Sequence, residues 1–113
     1  MRECPSRRVL AHVTGRWGPL VLTALQQRGV MRFSELRARI DGISEKMLAQ
    51  TLRELEGDRL IVRTSRPVVP PYVDYRLSEL GAEAAERVTG LVRWVESHVD
   101  QFSRPQFGAT RDS

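Results

Sequence analysis

The sequence predicts a mainly α fold with one small β-hairpin, an α+β arrangement, and three observations predict it. Between Ser34 and Leu55 apolar residues recur at helical spacing, first Leu36 with Ile40, then Leu48, Leu52 and Leu55. From Leu60 the period switches to two: Val62 and Thr64 share a face with Leu60, while Ile61, Arg63 and Ser65 share the other. Val73, Tyr75 and Leu77 then alternate with Tyr72, Asp74 and Arg76. Between the two runs lies Arg66-Pro67-Val68-Val69-Pro70-Pro71. Proline cannot donate to a sheet ladder, so these prolines belong to the exposed tip of a hairpin. At 113 residues the chain has room for a single core. One domain is expected over residues 1–102, followed by a flexible tail over 103–113 marked by Pro105 and Gly108.

The elements follow in order. Arg7 to Val13 forms a short helix with Val9, Leu10 and Val13 apolar, ending near Gly15. Pro5 suits a first helical position, which would put Cys4 at the N-cap. Gly18-Pro19 opens a second helix whose buried stripe is Val21, Leu22 and Leu25, with Gly29 as its C-terminal cap. Trp17 is expected in the core, clamping these two helices. Met31 to Phe33 fits a small strand that pairs with the hairpin. Ser34 starts a third helix, Asp41-Gly42-Ile43 is a tight break, and Ser44 caps a fourth. Ser78 caps a last long helix, from about Glu79 to Phe102, in which packing has to offset Gly81 and Gly90.

Helix, helix, then a two-stranded wing is the order of a winged helix-turn-helix, in which the second helix of the pair enters the DNA major groove. At about 100° per residue, the face of the fourth helix opposite its leucine stripe carries Lys46, Ala49, Gln50 and Arg53. Lys and Arg donate to guanine edges, Gln pairs with adenine, and Ala leaves room for a thymine methyl. Taken alone, the same face reads as an ordinary solvated surface; the wing that follows favours the groove. Ser34, Arg37, Ser44 and Arg66 then fall near phosphates. The charge agrees: residues 1–76 hold 14 Lys/Arg against 8 Asp/Glu, and residues 77–113 hold 4 against 6. A pI near 10.2 suits a polyanion, since counterion release favours phosphate contact.

Along the last helix Ala84, Val88, Leu91, Val95, Val99 and Phe102 make a near-heptad seam, and Leu80, Val92 and Trp94 widen the apolar surface. A helix apolar on two sides needs its own domain and something else to pack on. A second copy in a two-fold dimer is the economical partner, with Val9, Val13, Val88, Leu91, Val95 and Phe102 at the interface. The alternative is an intramolecular hairpin against the first helix. One cysteine excludes an intrachain disulfide, and His12 and His98 stand too far apart for a zinc motif, so neither metal nor cofactor is expected. No apolar run approaches a membrane span and no signal-type apolar region is present, which predicts a cytoplasmic protein. No nucleotide loop, nucleophile elbow or carboxylate-histidine cluster supports an enzyme or catalytic residues. The rival to DNA reading is a winged-helix protein-interaction module, to which the PxxP match at Pro67-Val-Val-Pro70 would add little.

Eight segments in order resemble the HxlR-type winged-helix regulators, relatives of the MarR group, over about residues 4–102. They are Cys4-Pro5, Gly15-Arg16-Trp17, Arg32-Phe33-Ser34-Glu35-Leu36, Gly42-Ile43-Ser44-Glu45-Lys46-Met47-Leu48, Leu52-Arg53-Glu54-Leu55-Glu56, Leu60-Ile61-Val62-Arg63, Val69-Pro70-Pro71-Tyr72-Val73-Asp74-Tyr75 and Leu77-Ser78-Glu79-Leu80-Gly81. The resemblance implies a homodimer built from N- and C-terminal dimerisation helices, binding near-palindromic double-stranded DNA as a repressor or activator. It leaves room for an oxidant or a small-molecule effector. Cys4 matches a position that is a redox sensor in some members and structural or silent in many others. Two positions depart from the family pattern. Arg59 stands where glycine usually precedes the wing leucine, so either Gly57 ends the helix early or Arg59 takes an uncomfortable conformation. Gly18-Pro19 replaces a residue that more often carries a hydroxyl.

Overall fold

In the computed structural model the described residues are 4–103. Helices α1 (Pro5–Thr14) and α2 (Gly18–Arg28) lead into strand β1 (Val30–Arg32). Helices α3 (Phe33–Arg39) and α4 (Glu45–Gly57) follow, then β2 (Ile61–Arg66), β3 (Tyr72–Leu77), α5 (Glu79–Ser97) and α6 (Val99–Ser103). The strands form an antiparallel sheet of order β1-β3-β2. This is the expected winged helix-turn-helix, mainly α with a hairpin wing.

The core is the meeting of the predicted stripes. Val21, Leu22 and Leu25 of α2 pack with Leu36 of α3 and with Leu48, Leu52 and Leu55 of α4. Met31, Ile61 and Tyr75 close it from the inner sheet face, and Ala85 from α5. Trp17, expected in the core, is instead half-buried at its edge, packed against this cluster from the N-cap of α2.

The α5–core contact rests on small residues. A Cβ on Gly81 would stand 1.8 Å from the Leu60 carbonyl oxygen, so only glycine lets α5 approach the backbone just before β2 this closely. Farther along, Thr89 Oγ1 donates to Gln26 Oε1 at 2.9 Å. A Cβ on Gly90 would meet nothing within 4 Å, so no close approach requires glycine there.

Several boundaries differ from expectation. Ser34 is not the start of α3; Arg32 holds the N-cap and Glu35 Oε1 accepts its backbone N–H at 2.7 Å. The third-position carboxylate reaches back to an orphan donor, which makes a capping hydroxyl at Ser34 unnecessary. The small strand lies one residue earlier than the Met31–Phe33 segment. The long helix does not run unbroken to Phe102, because it stops at His98 and restarts as α6. There Ser97 Oγ donates to the Trp94 carbonyl at 2.9 Å and His98 Nδ1 lies 2.8 Å from the same oxygen. Side chains thus take the acceptor that His98 N–H would use in a helix, and that N–H turns to Val95 instead. Of the expected tail, Ser103 ends α6 and residues 104–113 lie outside the described residues.

Candidate nucleic-acid interface

Helix α4 is aimed by its two ends and its buried stripe. Ser44 Oγ accepts the Met47 N–H at 3.0 Å, satisfying an orphan donor of the first turn. Leu48, Leu52 and Leu55 are at most 2% exposed, which fixes the rotation of the helix about its axis. The opposite face therefore presents Lys46, Gln50 and Arg53 to solvent, with Ala49 half-buried beside them. Gln50 Nε2 donates to Glu54 Oε2 at 3.3 Å, an i,i+4 contact at the edge of that face.

The C-terminal end of α4 resolves the alternatives at Gly57 and Arg59. The helix ends at Gly57, and Arg59 takes φ 65, so both halves of that expectation are realised together. Arg59 N–H donates to the Glu56 carbonyl and Leu60 N–H to the Leu55 carbonyl, each at 2.9 Å. This is the Schellman pattern with arginine in the left-handed position that glycine usually fills.

The other predicted DNA-facing residues gather around α4. Ser34 and Arg37 are exposed on α3 and line, with Phe33, Ala38 and Glu45, a shallow hollow against the start of α4. Ser44 and Arg66 are also exposed, Arg66 at the far end of β2. Cys4 sits at the N-cap of α1, exposed, with its Sγ 3.1 Å from Ser6 Oγ. The residues expected at a dimer contact divide. Val9, Val13 and Val88 are half-buried on their own core, whereas Leu91, Val95 and Phe102 are exposed together with Trp94 and Val99. Helix α5 uses its Gly81-Ala85-Thr89 side for the intramolecular contact, chiefly with α2 rather than α1.

Sequence reasoning missed two groups. Asp58 caps the end of α4 with a side chain only 3% exposed. Its Oδ1 accepts from Arg8 Nε at 3.3 Å and its Oδ2 lies 2.5 Å from His12 Nδ1, tying α1 to α4. A carboxylate at a helix C-terminus opposes the helix dipole, so it stays there by virtue of these partners. The second group is Tyr72, with the Arg32 and Arg66 guanidiniums 4.7 and 4.9 Å from its ring centroid. The separation of His12 from Asp58 and of Arg32 from Tyr72 along the chain hid both; only strand register and helix packing bring them together. Among the described residues no group of three or more His, Cys, Asp or Glu could hold a metal, and no helix is long and apolar enough to cross a membrane.

The family model for HxlR-like helix-turn-helix proteins matches residues 12–103. The chain belongs to this family. The HxlR-like assignment agrees with its relatives. It is 50% identical over 110 residues to the uncharacterized HTH-type transcriptional regulator YtfH of Escherichia coli, covering 97% of this chain and 82% of that protein. The solved ytfH protein of Salmonella typhimurium, a candidate transcriptional regulator, superposes with TM-score 0.82 at 51% identity over 88% of each chain. The redox regulator HypR in its reduced form gives TM-score 0.78 at 32% identity, over 88% of this chain and 97% of that one. This HxlR-like chain is a DNA-binding transcriptional regulator of the helix-turn-helix type.

Proposed function

We propose that the chain acts as a homodimer that reads a near-palindromic operator, with α4 of each protomer in a major groove. Lys46, Ala49, Gln50 and Arg53 would read base edges, while Ser34, Arg37, Ser44 and Arg66 would contact phosphates. The observation that carries this reading is the exposure of Lys46, Gln50 and Arg53 opposite a fully buried leucine stripe. A helix held so firmly on one side and so polar on the other is a rigid probe for a groove.

The dimer rests on the exposed apolar surface of α5 and α6. Leu91, Trp94, Val95, Val99 and Phe102 are each at least 40% exposed in the single chain. A contiguous surface of that kind marks an interface. Two-fold symmetry would set the reading helices about 34 Å apart, one DNA turn. On this reading the domain with its dimerisation helices spans residues 1–102, and Cys4 at the start of α1 responds to an oxidant. HypR, a relative named as a redox regulator, supports that response.

The test is selection of the preferred duplex from a random pool. Recovery of an inverted repeat with half-sites one turn apart supports the reading. Arg53→Ala should then cost about 1–3 kcal/mol on the selected duplex and relax specificity at one position per half-site. A pool that yields no enriched sequence refutes specific reading and favours a protein-interaction module.

A further inference from the structure

The wing carries an arrangement that groove reading by α4 does not use. Tyr72 opens the central strand β3 directly opposite Arg66 of β2, and Arg32 of β1 stands one row away, opposite Asp74. Side chains alternate along a strand, so Arg32, Thr64, Arg66, Tyr72 and Asp74 share the outer sheet face. The opposite face, with Met31, Ile61 and Tyr75, is the one that meets the core. Arg32 and Arg66 therefore reach the Tyr72 ring from the strands on either side, at 4.7 and 4.9 Å from its centroid. Both distances lie within the ~6 Å at which a ring quadrupole attracts a cation.

Asp74 is the obvious rival partner. It sits on the same face and is only 5% exposed. Yet among the described residues neither arginine forms an ion pair with it. The guanidiniums rest on the ring instead. Neither guanidinium spends an N–H donor on a hydrogen bond or ion pair among the described residues, which leaves those donors to an outside acceptor with two oxygens.

We propose that Tyr72 is a positioning residue that holds Arg32 and Arg66 as a paired clamp for DNA backbone phosphates, so that Arg32 is a phosphate contact alongside Arg66. The inference rests on the DNA-binding reading and adds to it a residue from β1 and a preorganising ring. Free arginine side chains lose much rotamer freedom when they bind; the ring removes part of that loss before DNA arrives. Phosphates carry no base identity, so the contribution of the clamp is sequence-independent.

The experiment measures affinity for a random-sequence duplex by fluorescence anisotropy between 50 and 200 mM KCl. Removing a phosphate contact and removing its preorganisation have different signatures. Arg32→Ala and Arg66→Ala should each reduce the slope of log K against log salt by about 0.9 per bound protomer. Tyr72→Leu should keep the wild-type slope and weaken binding at every salt, by roughly two- to tenfold per stacked arginine. Tyr72→Phe, which retains the ring, should restore binding to about wild type. Inorganic phosphate at matched ionic strength should not compete, and selective competition would reassign the clamp to a free anion. The inference is overturned if Arg32→Ala leaves the slope unchanged, or if Tyr72→Leu binds as wild type. Loss of slope in Tyr72→Leu, or failure of Tyr72→Phe to restore binding, overturns the positioning role. Arg53→Ala is the reference: if it weakens the selected duplex while the wing variants are silent, the clamp fails and the α4 reading stands. If wild-type protein binds no duplex, both fall together.

Discussion

Replacing Arg59 by glycine should stabilise the protein, because the φ of 65 at this position is one that an L side chain takes at a cost. The left-handed conformation costs a non-glycine residue roughly 1–2 kcal/mol, through crowding of Cβ against the following carbonyl. Glycine gives back part of that gain, since its unfolded chain has more freedom to lose, by about 0.4–1 kcal/mol. The Arg59 side chain is exposed and makes no ion pair among the described residues, so little else is lost. The net gain is about 0–1.6 kcal/mol, with a midpoint of ~0.8 kcal/mol that for a domain of this size raises Tm by roughly 2–5 °C. Thermal unfolding followed by circular dichroism measures it, with Arg59→Ala as the decisive companion. Alanine keeps the Cβ and so should give none of the gain. If alanine stabilises as much as glycine, the benefit comes from removing the long charged side chain and the strain argument is wrong. If glycine lowers Tm, the Schellman turn at the end of α4 is not as described.

Three further outcomes bear on assembly and regulation. Leu91→Asp, at a residue 58% exposed in the single chain, should leave stability within about 0.5 kcal/mol but convert a dimer to a species of 12.9 kDa in light scattering. A wild-type protein that is already monomeric at micromolar concentration would remove the basis for it. Asp58→Ala should cost roughly 1–3 kcal/mol in urea unfolding, since it removes charged hydrogen bonds to Arg8 and His12. A change below ~0.3 kcal/mol would make this tie ornamental. Diamide should lower operator affinity in wild type and not in Cys4→Ser; equal affinity in all four samples would leave Cys4 structural and move the effector elsewhere.

Much of this fold was legible because its signals are local. The leucine stripe of α4, the Ser44 and Ser78 caps and the alternation in β2 and β3 each sit within one turn or one strand of sequence. The exposed polar face of α4 was legible for the same reason, since rotation about a helix axis follows from its buried stripe. What sequence missed depends on partners far apart in the chain. Asp58 looks like a helix-end acid until α1 brings Arg8 and His12 to it. Tyr72 looks like an alternating strand residue until the register sets Arg66 across from it. The break at His98 was hidden differently: the apolar seam continues through it, and the interruption comes from polar side chains competing for one carbonyl.

Residues 58–60 join α4 to both α1 and α5. Asp58 holds α1 through Arg8 and His12. The Arg59 carbonyl accepts from Ser78 Oγ at 2.7 Å, and the Leu60 carbonyl accepts the Ser78 N–H at 3.0 Å, fixing the start of α5. Gly81 then lets α5 close directly over Leu60. The end of α4 is thus fastened to both helices proposed to build the dimer, while its start is held by the Ser44 cap and by Leu48 and Ile43 in the core. A displacement of α1 relative to α5 has to pull on α4 at this C-terminal end. The leucine stripe prevents α4 from rotating about its own axis, so the motion left to it is a tilt that carries Arg53, nearest the pulled end, farther than Lys46. Packed elements with discrete contacts transmit shifts in this way. An effector acting on α1, Cys4 included, would on this geometry alter half-site spacing before it altered which bases are read.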